Sequence, residues 1–225
     1  MIKQSLLILG AAALLAGCTQ AEQAADKAVD ATKSAAAEAV SKAKAMTPGA
    51  DLSELPSGTY KSEQGHTYVS FQYWHQGYSR PTIRWAVTDA VVELDAENPE
   101  NSTLMVTIPS ASIDTGVKAF DEHMVSADFF DVENHPTITF KSTDIDQAIL
   151  GGGSVTGDLT IKGVTKPITF TGKVNKTGKH FRSGVPMFGI SATASLKRSD
   201  YGVDKYAPMG EDIDITVEAE FQKAE

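Results

Sequence analysis

The run Asp212-Ile213-Asp214-Ile215-Thr216-Val217-Glu218-Ala219-Glu220-Phe221-Gln222 decides the fold, because its odd positions are all apolar and its even positions all polar. Side chains on a β-strand point alternately to opposite faces, so this pattern describes a strand with one buried face and one wet face. The same period of two recurs upstream. It sets Leu104, Val106 and Ile108 on one face, then Ile138 and Phe140, then Val155, Gly157, Leu159 and Ile161. Ile168, Phe170, Gly172 and Val174 follow, then Phe188, Ile190, Ala192, Ala194 and Leu196. With Val69, Phe71 and Tyr73 early on and a run from Trp85 to Leu94, about eight strands are expected. The one interruption, Val117 to Ser126, reads as a short helix ahead of Phe129-Phe130.

Eight mostly antiparallel strands, each wet on one side, bury their apolar faces and remove their unpaired edges by closing on themselves. The expected fold class is therefore all-β, an eight-stranded antiparallel barrel with a short helix. Gly157, Gly172, Ala192, Ala194 and Ala219 fall on inward positions. Composition leaves two readings of them: a lumen able to hold one small ligand, or room for Phe140, Phe170 and Phe188 in a filled core.

Ahead of the strands the chain changes character twice. Met1-Ile2-Lys3 and the apolar run Leu6 to Leu15 make a positive n-region and a short h-region, too short for a membrane span. The run closes on Leu15-Ala16-Gly17-Cys18, similar to the lipobox at which a lipoprotein signal peptide is cut and the cysteine acylated. Cys18 is the only cysteine, so no intramolecular disulfide exists. Residues 1–17 are read as signal peptide and Cys18 as the lipid attachment site, anchoring the protein to a membrane. Thr19, in place of Asp, points to outer-membrane sorting facing the periplasm if the host is Gram-negative.

From Gln20 to Met46 the chain is Ala with Glu, Asp, Lys and Gln, and lacks Gly and Pro until Pro48-Gly49. That composition favours a helix of about 40 Å, with Val29 and Val40 the only larger apolar residues and little area to bury. Residues 18–57 are read as a tether: helical, an Ala-seam coiled coil, or disordered. Residues 58–225 are read as the barrel domain. The formal charge is −9, and loss of the single charge on Lys3 takes it to −10, which argues against a nucleic-acid partner.

The stretch from about Tyr60 to Phe221 resembles the YceI-like family of secreted, lipocalin-like, polyisoprenoid-binding proteins. The resemblance rests on His66-Thr67 through His75 with Val69 and Phe71, on Ser112-Ile113-Asp114-Thr115-Gly116, and on the segment from Phe120 to Thr143. It continues through Gly157 to Pro167 and Lys197-Arg198-Ser199-Asp200-Tyr201-Gly202. Departures from the family pattern lie at Ser62-Glu63-Gln64-Gly65 and Thr82-Ile83-Arg84-Trp85. The resemblance implies a tunnel holding a long isoprenoid, of quinone or polyprenyl type, for storage or transport, with no other cofactor. Together with the alternation it assigns the ligand-binding lining to Val69, Phe71, Tyr73, Val106, Phe140, Phe170, Phe188 and Ile190. Each five-carbon unit buried in such a tube contributes roughly 3 to 4 kcal/mol gross, at about 0.8 kcal/mol per methylene, so affinity needs no charged group.

The polar motifs have plainer readings. His66, His75, His123 and His135 show no metal-ligand spacing, and an offset of nine puts His66 and His75 on opposite faces of a straight strand. No metal site is expected, and His123 and His135 are expected to tie the helical segment to the barrel by hydrogen bonds. Asp114-Thr115-Gly116 occurs once, without the second carboxylate of an aspartic protease, and reads as a turn with Gly116 at positive φ. Asp121 suits the start of the helix, and Lys162-Gly163 a tight hairpin. Arg198 is expected to fix a loop by pairing with Asp200 and Asp204, or to meet a ligand head group. The expected protein is not an enzyme. Two other readings remain open: an enzyme acting on a lipid with His66 or His75 as base, and a filled barrel whose outer face binds a partner such as a quinone-handling membrane protein.

Overall fold

The computed structural model describes residues 50–86, 88–148 and 152–225. Cys18 and nearly all of the tether lie outside the described residues. Eleven strands form one sheet: β1 (Gly58–Ser62), β2 (Tyr68–Tyr73), β3 (Thr82–Trp85), β4 (Asp89–Leu94), β5 (Thr103–Pro109), β6 (Ile113–Asp114), β7 (Thr137–Ala148), β8 (Gly152–Ile161), β9 (Val164–Lys179), β10 (Pro186–Lys197) and β11 (Asp212–Lys223). Among the described residues one α-helix, α1, spans Lys118–Met124.

Eleven strands reduce to eight staves. β1 and β2, β3 and β4, and β5 and β6 are three staves each broken in two. The halves keep their neighbours across the break: β1 pairs with β4 and β2 with β3, β4 with β5 and β3 with β6, all antiparallel. Each stave pairs with the next in the chain, and β11 then pairs along its free edge with both β1 and β2. The result is an eight-stranded antiparallel barrel with one short helix.

The breaks that follow Ser62, Trp85 and Pro109 fall at one level, and side chains or loop backbone there replace lost ladder bonds, since buried backbone groups must be paired. Ser62 Oγ accepts from the Ala90 amide and donates to the Thr88 carbonyl, which also accepts from Gln64 Nε2 at 2.9 Å. At the third break the Ala86 amide donates to Ser112 O and the Ser110 amide to Pro136 O. The alternation in the sequence showed the staves but not these breaks, because each half-strand keeps the period.

Inward positions match the alternation: Ile213, Ile215, Ala219 and Phe221 of β11 are buried, while Asp214, Thr216 and Glu218 are exposed. A polar outer wall is the reverse of a barrel that crosses a membrane. At one end of the barrel Tyr60, Phe188 and Phe221 form an aromatic plug, with Phe188 and Phe221 stacked at 4.9 Å and Tyr60 donating its hydroxyl to Pro56 O. Residues 50–57 lie against this end. The Ala50 amide donates to Val174 O, and Leu55 is buried with Tyr60, Leu94 and Val174.

The inward glycines are occupied by neighbours rather than left open. A Cβ on Gly157 would stand 2.3 Å from Lys141 O and 2.6 Å from Phe140 Cζ, and one on Gly172 2.5 Å from Ser191 O. Gly157→Ala should therefore lower stability by about 3 kcal/mol through overpacking. Gly178→Ala, where a Cβ meets nothing within 4 Å, should stay within about 0.5 kcal/mol. Urea unfolding of the two variants checks this as a shift in midpoint at constant slope.

Candidate functional site: a segmented apolar tunnel

The barrel interior holds three cavities whose walls are shared in sequence along the axis. At the end opposite the aromatic plug, a mouth chamber of about 220 Å³ is bounded by Phe71, Tyr73, Phe129, Phe130, Leu196 and Ile213, and reaches the surface at exposed His75, Lys205 and Tyr206. A middle chamber of about 130 Å³ shares Trp85, Ile161 and Ile215 with it. A lower chamber of about 130 Å³ shares Leu104, Val155, Phe170, Ile190, Ala192 and Phe221 with the middle one and ends near Leu52, Pro99 and Asp146. Both readings of the small inward residues thus hold in part: Gly157 makes room for the Phe140 ring, while Ala192 borders open space in two chambers.

All eight residues assigned to the lining face these chambers. Phe71 and Tyr73 line the mouth, Val69, Val106 and Phe140 the middle, Phe170 and Ile190 both middle and lower, and Phe188 the lower. Phe188 also belongs to the plug, so it closes the lower end as much as it lines it. Trp85, at the constriction between mouth and middle, was read only as a strand residue. Phe120, Met124, Phe129 and Phe130 were missed as lining too, though the i, i+4 spacing of Phe120 and Met124 signals an inward helix face.

The mouth is a cap of three loops held by polar ties. Asp114 accepts from the Gly116 amide and from Arg84, and Gly116 has φ +77°. Arg84 and the Gly116 amide hold the Asp114 carboxyl below its usual range. Asp121, in the first turn of α1, accepts from both the amide and hydroxyl of Thr115 at 2.7 Å. Lys162, at φ +49° in the two-residue turn between β8 and β9, donates to Ala127 O and Gly202 O, joining two of the cap loops.

Arg198 pairs with neither Asp200 nor Asp204 in the observed geometry. Its guanidinium donates to three carbonyls, Gly210 at 2.9 Å, Met209 at 2.8 Å and Val203 at 2.5 Å, and so fixes the loop that carries Tyr206. Asp200 is taken by Lys166 at 3.1 Å. Burial raises the pKa of Tyr73 and Tyr201, the nearby Arg198 charge partly opposing the shift at Tyr73. Both phenols therefore stay neutral beside the chamber.

The histidines sit differently from the sequence expectation. His123 bonds Asp128 at 3.3 Å and packs edge-on against Phe129, while Asp128 in turn accepts from Lys205. Its ties run to its own segment and to the mouth loop, not to a strand. Bonds from Lys205 and His123 hold the Asp128 carboxyl below its usual range. His135 stands 4.0 Å from Asp131 and its ring fills the space beside Gly163. His66 lies in the 3₁₀ turn Gln64–His66, outside the barrel, with Nδ1 2.6 Å from Glu63. Glu63, His66 and Glu220 bring three possible ligand atoms within 4.8 Å of one another. Such a grouping was not expected from the sequence, and within it His66 and Glu63 are already hydrogen-bonded to each other at the strand break.

Comparison with known proteins agrees with this architecture. A family model described as the YceI-like domain matches residues 60–221. A UPF0312 protein of Ectopseudomonas mendocina is 36% identical over 156 residues, covering 69% of this chain and 81% of its own. A crystal structure of a Campylobacter jejuni YCEI protein matches with a TM-score of 0.60 at 29% identity, covering 65% of this chain and 87% of that one. A polyisoprenoid binding domain from Saccharophagus degradans shares the fold at a TM-score of 0.55 and 13% identity, over 73% of this chain and 98% of its own. With the family model spanning nearly all of the barrel, this chain belongs to the YceI-like domain family.

Proposed function

We propose that this protein is a non-catalytic envelope lipoprotein that holds a long-chain isoprenoid lipid, of quinone or polyprenyl type, inside the barrel for storage or transport. The observation that carries the reading is the row of three wall-sharing apolar chambers along the barrel axis. Such a row suits a narrow branched chain better than a compact ligand. Each isoprene unit buried there contributes roughly 3 to 4 kcal/mol gross. The Saccharophagus degradans domain, named for binding polyisoprenoid, supports the same ligand class here. A barrel filled throughout is hard to reconcile with these chambers. An enzyme with His66 as base loses its motivation, since His66 lies outside the chambers.

In this reading Cys18 is acylated and retains the protein at a membrane, the outer membrane facing the periplasm in a Gram-negative host. A membrane protein that handles quinones is the fitting partner. Extraction of the gently purified protein with organic solvent, followed by mass spectrometry, should recover an isoprenoid. Repeated recovery of none, together with failure of added prenyl lipids to bind, would sink the proposal.

Ala192 borders both middle and lower chambers, so Ala192→Phe places a ring in the path of the chain. It should weaken prenyl-lipid binding at least about ten-fold, with overpacking costing about 1–3 kcal/mol of stability. The Arg198 clamp makes the mouth loop a gate. Arg198→Lys keeps the charge but cannot reproduce a fork to three carbonyls. Stability should fall by about 2 kcal/mol, amide hydrogen exchange should quicken at residues 203–210, and bound lipid should leave faster. Unchanged exchange in that loop would show that the clamp does not control it.

A further inference from the structure

Two buried polar atoms on the wall of the tunnel have no hydrogen-bond partner among the described residues: Trp85 Nε1 and Thr88 Oγ1. Thr88 is 2% exposed and Trp85 7%. Both residues line the middle chamber, and Trp85 also forms the constriction toward the mouth. The Trp85 indole meets the rings of Phe71 at 5.1 Å and Phe130 at 5.7 Å, neither of which supplies an oxygen acceptor.

An orphaned buried donor or hydroxyl costs about 1–3 kcal/mol, and Val at 88 or Phe at 85 would close the same wall without that cost. The cost does not come from careless construction of the break. Thr88 O is satisfied twice, by Ser62 and Gln64, in the same turn of chain. Hydrogen bonding is therefore met at the Thr88 carbonyl and withheld at its side chain, where the middle chamber lies. A buried indole N–H ordinarily finds a partner, and the remaining candidate is a group brought in through the tunnel.

We infer that Trp85 and Thr88 recognise an oxygen atom of the bound lipid. The inference rests on the tunnel reading above and specifies its ligand. The preferred class is an isoprenoid carrying a carbonyl or hydroxyl oxygen, such as a prenylated quinone or a polyprenol, in preference to a pure hydrocarbon of the same length. The indole can only donate, so the ligand group must be an acceptor, while the Thr88 hydroxyl turns about χ1 to donate to it or accept from it. Both residues line the middle chamber that such an oxygen would enter. The apolar chain then extends through the middle and lower chambers along Val106, Phe170 and Ile190. Affinity comes from the chain, and the two orphans set which chain is accepted.

The test uses the full mature chain and three probes: a prenylated benzoquinone, a polyprenol of matched length, and squalene, a hydrocarbon built of isoprene units. Binding of each is titrated to the wild type and to Trp85→Phe, Thr88→Val and Thr88→Ser. The wild type should prefer the two oxygenated probes to squalene. Trp85→Phe and Thr88→Val should each weaken the oxygenated probes about five- to fifty-fold and leave squalene within about two-fold, and Thr88→Ser should retain wild-type preference. Thr88→Val is nearly isosteric, so the test survives even if Trp85→Phe disturbs the packing against Phe71 and Phe130. Equal binding of all three probes, with silent variants, overturns the inference and leaves the tunnel reading standing. Equal losses for squalene and the oxygenated probes also overturn it, since they mark a packing defect. Binding of none of the three by the wild type overturns both.

Discussion

The pairing of the last strand with the first holds the rest of the structure in place. β11 bonds to β10 along one edge, and along the other to β1 near Phe221 and to β2 from Ile213 to Glu218. Its partners on that second edge lie some 150 residues away in the chain, so the closure entropy of nearly the whole domain is met by this one seam. Without it the sheet has two open edges and the inward rows face water. With it they enclose a volume whose ends are fitted differently. One end is closed by aromatic rings and residues 50–57. The other is covered by loops held through Lys162, Arg198 and Asp128. This difference between the ends gives the interior an entrance and a floor.

A wet outer wall and an apolar inner wall are a consequence of strand geometry, but open space inside a barrel is not. Protein interiors close-pack, and voids cost stability. The middle level carries Val69, Ala90, Val106, Ala192 and Val217 beside the rings of Phe140 and Phe170. Interior volume is thus obtained by placing small residues at one level of neighbouring staves, while glycine at 157 serves the separate purpose of seating Phe140.

Most of this was legible in the sequence for one reason: alternation of period two, once recognised, fixes which side chains share a face. The eight assigned lining residues follow from that period together with the family resemblance, and each faces a chamber. What stayed hidden has no periodic signature. The first two of the three aligned breaks are compensated by the side chains of Ser62 and Gln64, ordinary polar residues whose roles arise from neighbours far away in sequence, and the third by the Ser112 carbonyl. Arg198 was seen as a polar candidate beside two aspartates, yet it binds carbonyls, since backbone acceptors appear in no composition. His123 was expected to reach the barrel, but its nearest partner, Asp128, lies five residues on and is shared with Lys205. Trp85 looked like one more β-former, and its position at the narrowest shared wall emerges only when β3 is set beside β2 and β6.

The attachment of residues 50–57 to the floor has a mechanical consequence. The Ala50 amide bonds Val174 O in β9, Glu54 accepts from Thr177, and Leu55 sits beside Val174 and Tyr60. Tension on the chain ahead of residue 50 therefore falls first on β9 and the aromatic rings of the floor, and reaches the loops at the other end only through the length of the staves. The site of loading and the entrance are kept a full barrel length apart, so a pull strong enough to detach these first residues would disturb the floor and leave the entrance intact.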